Sequence, residues 1–144
     1  MRKRRILLIL IIANILFIWG NSMLSQEQSR NLSVFFRDIL RNIFDFAGGS
    51  DAISTHMVRK SAHLFEFLVL SILITLYSSK PGLKSCAKII AAGVIVASID
   101  ETIQIFTLRG PAVKDVLIDI SGYLIGFLII TVIKQARKRK RAIE

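Results

Sequence analysis

Ionisable residues recur at helical spacing inside three otherwise apolar stretches of the chain. In the first stretch Lys60, His63 and Glu66 follow each other every third residue and share one face of a helix. In the second stretch Asp100 and Gln104 are one helical turn apart. Imidazole and carboxylate groups held together could act as acid and base, because closely placed carboxylates share protons. The other candidates are Glu101, the loop residue Arg109, and Asp115 and Asp119 at the start of the third stretch.

Two explanations of these polar residues stay open from the sequence. Ionisable side chains cost at least about 2.5 kcal/mol each in hydrocarbon, so several at one depth must pair or line a wet cavity. In the structural explanation, Lys60 and Arg109 neutralise carboxylates, and the buried network joins the helices. In the functional explanation the residues form a polar pocket. Its candidate catalytic residues are His63, Glu66, Asp100 and Glu101, and its candidate binding residues are Lys60, Gln104, Arg109, Asp115 and Asp119.

A divalent metal ion is a third alternative that the residues leave open. One histidine with several carboxylates suits a hard or borderline cation, although the spacings match no standard metal motif. Proton-coupled transport is disfavoured, because four spans leave little room for a substrate path unless the chain forms an oligomer. The single cysteine, Cys86, excludes a cysteine-based cluster. The sequence therefore identifies no cofactor, and it leaves both a metal ion and an oligomer open.

The composition indicates that membrane helices position these groups. The chain has 144 residues, is 53% hydrophobic with a mean hydropathy of +0.57, and carries a net charge of +10. High hydropathy with high basicity is typical of small membrane proteins that have basic cytoplasmic loops. A span needs about 20 residues, and a flanking lysine can lengthen a shorter apolar run. Four spans are predicted, within residues 6–24, 62–77, 89–108 and 116–133.

A fifth helix of different character is predicted between the first two spans. From Gln26 to Asp51 apolar residues recur on one helical face, and Gly48-Gly49 provides a natural stop. The segment is too polar to span and should lie along the membrane surface. The predicted fold is an all-α integral membrane four-helix bundle with an extra amphipathic interfacial helix. Its predicted parts are a first transmembrane helix (1–24), an external loop with the amphipathic helix (25–57), a core of three transmembrane helices (58–133) and a basic cytoplasmic tail (134–144).

The distribution of positive charge predicts the orientation. With the N-terminus inside, most of the 20 lysines and arginines fall on the cytoplasmic side. We therefore expect a multi-pass protein of the cell membrane with both termini cytoplasmic and its ionisable pocket in the outer part of the bundle. The basic run from Lys134 to Arg141 lacks aromatic residues and directly follows a span. This favours anionic lipid headgroups over nucleic acid as its partner.

Three motifs contain most of the residues named above. They read Arg59-Lys60-x-x-His63-x-x-Glu66-Phe67, Asp100-Glu101-x-x-Gln104-x-Phe106-x-x-Arg109 and Asp115-Val116-x-x-Asp119-x-x-Gly122-x-x-x-Gly126. Together they resemble the VanZ-like membrane protein family over residues 55–130. The chain departs from the family pattern at Asp119, where the resemblance leads us to expect asparagine. Gly122 and Gly126 also form a small-xxx-small pattern, which allows a neighbouring helix to approach closely.

The resemblance implies a function in the cell envelope. The family takes its name from a protein linked to resistance to the glycopeptide antibiotic teicoplanin. A membrane lipid or a lipid-linked envelope precursor is the partner that this implies. No residue pattern identifies a reaction, so enzymatic activity stays undecided. The alternative is a non-catalytic membrane protein whose buried ion-pair network is structural and which acts through a partner or lipid.

Overall fold

Five helices account for nearly all of the described chain. The computed structural model describes residues 2–45, 53–78, 83–107 and 113–143. The helices are α1 (Arg2–Ser22), α2 (Gln26–Asp45), α3 (Thr55–Tyr77), α4 (Leu83–Phe106) and α5 (Val113–Ile143). No strand occurs within these ranges. The helix stop expected at Gly48-Gly49 lies outside the described residues.

All helices except α2 are long and apolar enough to cross a membrane. At 1.5 Å per residue α3 is about 34 Å long, which matches a hydrocarbon core of roughly 30 Å. Large apolar side chains point away from the bundle, including Ile9 (63% exposed), Leu16 (62%) and Val132 (61%), as lipid-facing positions require. The candidate spans are Arg2–Ser22, Thr55–Tyr77, Lys84–Phe106 and Lys114–Arg141. The predicted all-α bundle of four membrane helices is confirmed.

The helix α2 keeps its apolar face uncovered. Phe35 and Phe36 pack edge to face with ring centroids 5.5 Å apart, and both side chains are exposed. The helix contacts α3, and Nε of Arg41 donates a hydrogen bond of 3.2 Å to the carbonyl of Ile53, just before α3. An amphipathic helix with an exposed apolar face has the surface that interfacial lipid would cover.

The helices α3 and α5 run parallel, and α1 and α4 run in the opposite direction. The guanidinium of Arg4 lies 4.8 Å from the centre of the Tyr77 ring. The next residue, Ser78, makes two further contacts. Its carbonyl accepts a hydrogen bond of 2.9 Å from Nζ of Lys134, and its hydroxyl lies 2.7 Å from the hydroxyl of Ser85. These contacts bring the start of α1, the start of α4 and the basic part of α5 to the end of α3. The two terminal segments therefore lie at the same end of the bundle.

Few apolar side chains are buried inside the bundle, because most of them face outward. Ile18, Phe67 and Ala97, from three different helices, are fully buried. The hydroxyl of Tyr123 donates a hydrogen bond of 2.6 Å to the carbonyl of Ile89, which joins α5 to α4. Interhelical hydrogen bonds of this kind supplement packing in membranes, where helices gain little from the hydrophobic effect.

The helix α5 continues past its span into the basic segment. It has 31 residues, which corresponds to about 46 Å and exceeds the thickness of the hydrocarbon core. Its last turn carries Lys140 and Arg141, which oppose the negative end of the helix dipole. The described part of the basic tail is therefore a helical extension of α5.

Candidate functional site

A close contact between α3 and α5 positions the first residues of the site. Gly122 packs on the backbone of Leu64, and Gly126 packs on the backbone of Leu68. A Cβ atom at either glycine would overlap the carbonyl oxygen of the facing residue. Small residues at both positions thus permit the approach of the two backbones, which brings His63 alongside α5.

His63 faces buried carboxylates from two other helices. Its Nδ1 atom is 3.7 Å from Oδ1 of Asp119 on α5 and 3.9 Å from Oδ2 of Asp100 on α4. One ligand atom from each of the three residues lies within 4.8 Å of the others. The Asp100 and Asp119 side chains are 0% and 1% exposed, whereas His63 keeps 15% exposed. These three residues are called the His–Asp–Asp cluster below.

Two hydrogen bonds hold Asp100 in its orientation. The hydroxyl of Ser22, at the end of α1, donates to Oδ1 over 2.6 Å. The side-chain amide of Gln104, one turn further along α4, donates to Oδ2 over 2.8 Å. Because both carboxylate oxygens accept hydrogen bonds, the direction in which Asp100 faces His63 is set by its neighbours.

Two further buried carboxylates lie near the cluster. Glu66 is 7% exposed, and its Oε1 accepts a hydrogen bond of 2.6 Å from the side-chain amide of Asn21 on α1. Glu101, beside Asp100 on α4, is also 7% exposed. Both glutamates lie close enough to Asp119 to interact with it electrostatically. The candidate catalytic residues named from the sequence are therefore gathered at one end of the bundle.

Lys60 and Asp115 form an ion pair at the edge of the site. Nζ of Lys60 is 3.8 Å from Oδ1 of Asp115, and the two side chains are 31% and 23% exposed. Each residue lies about one turn before a member of the cluster, His63 on α3 and Asp119 on α5. A partly exposed pair of this kind contributes about 0–1 kcal/mol to stability. Arg109, the other candidate binding cation, lies outside the described residues.

The motifs do not reveal the contribution of α1. Asn21 and Ser22 bind Glu66 and Asp100, and the hydroxyl of Thr107 donates a hydrogen bond of 3.2 Å to the carbonyl of Ser22. In the sequence Asn21 and Ser22 are simply the polar end of the first apolar run. Their predicted depth in the membrane is the signal that could have identified them, because the predicted topology puts both at the level of the ionisable residues.

The polar site and the basic segments lie at opposite ends of the bundle. Ser22 contacts Asp100 from the last turn of α1, whereas Arg4 contacts Tyr77 from its first turn. The two positions are about 27 Å apart along the helix axis. An imidazole beside several buried carboxylates suits two kinds of chemistry, namely proton transfer and cation coordination.

Comparison with known sequences agrees with the motifs. The sequence model of the family described as VanZ/LLP1 matches residues 6–134. The matched range includes the three motifs and also Asn21 and Ser22, so it begins earlier in the chain than the resemblance over residues 55–130. No curated protein and no solved structure matches the chain.

Proposed function

This chain belongs to the VanZ/LLP1 family, and we propose that it acts in the cell envelope through the polar end of its bundle. The observation that carries the proposal is the meeting of His63, Asp100 and Asp119 from three helices at the end opposite to the basic segments. Intramembrane ionisable groups are costly and usually mark functional sites.

The proposal places this polar end at the outer face of the cell membrane. The opposite end carries the basic first turn of α1 and the exposed basic extension of α5. Lysine and arginine clusters of this kind are retained on the cytoplasmic side. Both termini are then cytoplasmic, and the extension of α5 lies where anionic lipid headgroups attract each basic residue by about 1 kcal/mol.

The proposed partner of the polar site is a membrane lipid or a lipid-linked envelope precursor. Teicoplanin-type glycopeptides act outside the membrane on lipid-linked wall precursors, so a pocket at the outer leaflet meets the same molecules. We propose that the chain lowers susceptibility to these drugs. The polar side chains Lys60, His63 and Asp115 are the partly exposed members that such a partner would meet first.

A second candidate function is favoured by the hydrogen bonds of the site. Those from Ser22 to Asp100 and from Asn21 to Glu66 join α1 to α4 and α3. A buried network that joins three helices is what a purely structural role requires. In that case the protein is a non-catalytic membrane protein that acts through partner or lipid contacts elsewhere on its surface.

Expression in a glycopeptide-susceptible host tests the proposal. Wild-type protein should raise the inhibitory concentration of lipid-bearing glycopeptides more than that of vancomycin, because the lipid-bearing drugs concentrate at the membrane surface. His63→Ala should abolish the increase, and His56→Ala, which changes an exposed histidine of the same helix, should not. An unchanged inhibitory concentration with correctly inserted wild-type protein would reject the tolerance function.

A further inference from the structure

Asp119 is a buried carboxylate without a hydrogen bond in the described part of the chain. Its side chain is 1% exposed, and neither Oδ1 nor Oδ2 has a hydrogen-bond partner there. Nδ1 of His63 is 3.7 Å away, which is too far for a hydrogen bond. Burial of a carboxylate in this state is costly unless a cation or a proton compensates it. The side chain is directed toward the other two members of the His–Asp–Asp cluster, whose ligand atoms lie within 4.8 Å.

The distances from His63 to the two aspartates are close to those between ligands of a tetrahedral metal site. Zinc–nitrogen and zinc–oxygen bonds of about 2.0–2.2 Å place tetrahedral ligand atoms about 3.3–3.6 Å from each other. From Nδ1 of His63 the distances are 3.7 Å to Asp119 and 3.9 Å to Asp100. Both distances exceed the tetrahedral range by a few tenths of an ångström, and the three ligand atoms all lie within 4.8 Å of one another, so a bound ion would draw the side chains closer together.

Asp100 has the surroundings of a metal ligand. Metal-binding carboxylates are commonly oriented by hydrogen bonds from outer residues, and loss of such a bond weakens metal affinity about 10–100-fold. Asp100 accepts these bonds from the Ser22 hydroxyl and the Gln104 amide. Gln104 donates to Oδ2, the oxygen that faces His63, and so holds this oxygen toward the cluster.

We propose that His63, Asp100 and Asp119 bind one divalent transition-metal ion, with zinc as the best-matched ion. The imidazole nitrogen favours zinc over magnesium and calcium, which prefer oxygen ligands. Three protein ligands leave a fourth position for water or for an oxygen of a bound molecule, the arrangement typical of catalytic zinc sites. His63, at 15% exposed, is the member of the cluster that is partly open to its surroundings.

Metal binding by the purified chain tests this proposal directly. The protein is purified in detergent without a polyhistidine tag, stripped with EDTA, freed of EDTA and titrated with zinc. Mass spectrometry should find about one zinc ion per chain, and cobalt in its place should give the visible absorption of a tetrahedral site. Because the measurement needs no antibiotic and no cell, its outcome is independent of the proposed tolerance function.

Matched variants assign the ligands. Asp119→Asn should weaken zinc binding more than tenfold, whereas Asp38→Asn, the same change at an exposed residue of α2, should leave it unchanged. If Asp119→Asn does not fold, Gln104→Ala serves instead, since it keeps all three ligands and should weaken binding about 10–100-fold. Folded wild-type protein that binds no zinc would overturn the proposal. Wild-type affinity in folded Asp119→Asn or Gln104→Ala would also overturn it.

Discussion

The hydroxyl of Ser22 donates a 2.6 Å hydrogen bond to Oδ1 of Asp100, although the two residues are 78 positions apart in the chain. The bond joins the last turn of α1 to the fully buried carboxylate in the middle of the polar site. An ionised or polar group at 0% exposure needs such donors, because each missing one leaves it desolvated without compensation. The first helix is therefore a structural part of the site as well as a candidate membrane span.

Ser22→Ala should lower the free energy of unfolding by about 1–3 kcal/mol, since it removes a hydrogen-bond donor from a buried carboxyl group. The matched control is Ser98→Ala on α4, because Ser98 is exposed and donates only to the carbonyl of Val94 in its own helix. The control should change stability by less than about 0.5 kcal/mol. Unfolding in detergent measures the free energy of both variants. Equal changes would show that the Ser22 hydrogen bond stabilises the protein no more than the Ser98 bond does.

Gly122→Ala should destabilise the protein by about 1–3 kcal/mol, because the added methyl group overlaps the carbonyl of Leu64 and separates α3 from α5. Gly20→Ala on α1 is the control, since a Cβ atom there meets nothing within 4 Å. Alanine is the better helix former, so Gly20→Ala should be neutral or stabilising by up to about 1 kcal/mol. Thermal unfolding of both variants checks the comparison. A Gly122→Ala protein as stable as wild type would contradict the close contact between the two helices.

The orientation is tested by cysteine labelling of intact cells after Cys86 has been replaced. A single cysteine at Ser54, exposed at the start of α3, should react with a membrane-impermeant maleimide. A single cysteine at Ala136, exposed in the basic extension of α5, should react only after permeabilisation. Both substitutions leave every charge in place, so they do not bias insertion. The reverse labelling pattern would put the polar site on the cytoplasmic side.

The helices of this protein follow from its sequence because each spanning run is long, almost continuously apolar and bounded by polar residues, and because the apolar residues of α2 recur at helical spacing. The four spans and the amphipathic α2 are confirmed on those grounds. Spacing also shows which polar residues share a helical face, such as His63 with Glu66 on α3 or Asp100 with Gln104 on α4. The depth of these residues follows in turn from the topology.

The individual side-chain contacts between helices could not be predicted. The spacing of residues along one helix does not show how a second helix is rotated or which helix lies beside it. Nothing in the motifs shows that Asn21 binds Glu66 or that Ser22 binds Asp100. The same limit applies to Leu64 as the residue that faces Gly122. Such pairs emerge only when the helices pack, since each depends on the crossing of two backbones.

The variant Glu66→Gln distinguishes a functional role of the buried polar residues from a purely structural one. Glutamine keeps the Oε1 acceptor for Asn21 and nearly the same volume, but it removes the negative charge. Glu27→Gln, the same change at an exposed residue of α2, is the control.

The deciding measurement is the inhibitory concentration of a teicoplanin-type glycopeptide for cells that contain equal amounts of inserted wild-type, Glu66→Gln or Glu27→Gln protein. We predict that Glu66→Gln lowers the inhibitory concentration to that of cells without the protein, while Glu27→Gln keeps the wild-type value. Wild-type tolerance in cells with inserted Glu66→Gln would contradict a functional role of this carboxyl group and assign Glu66 to helix packing alone.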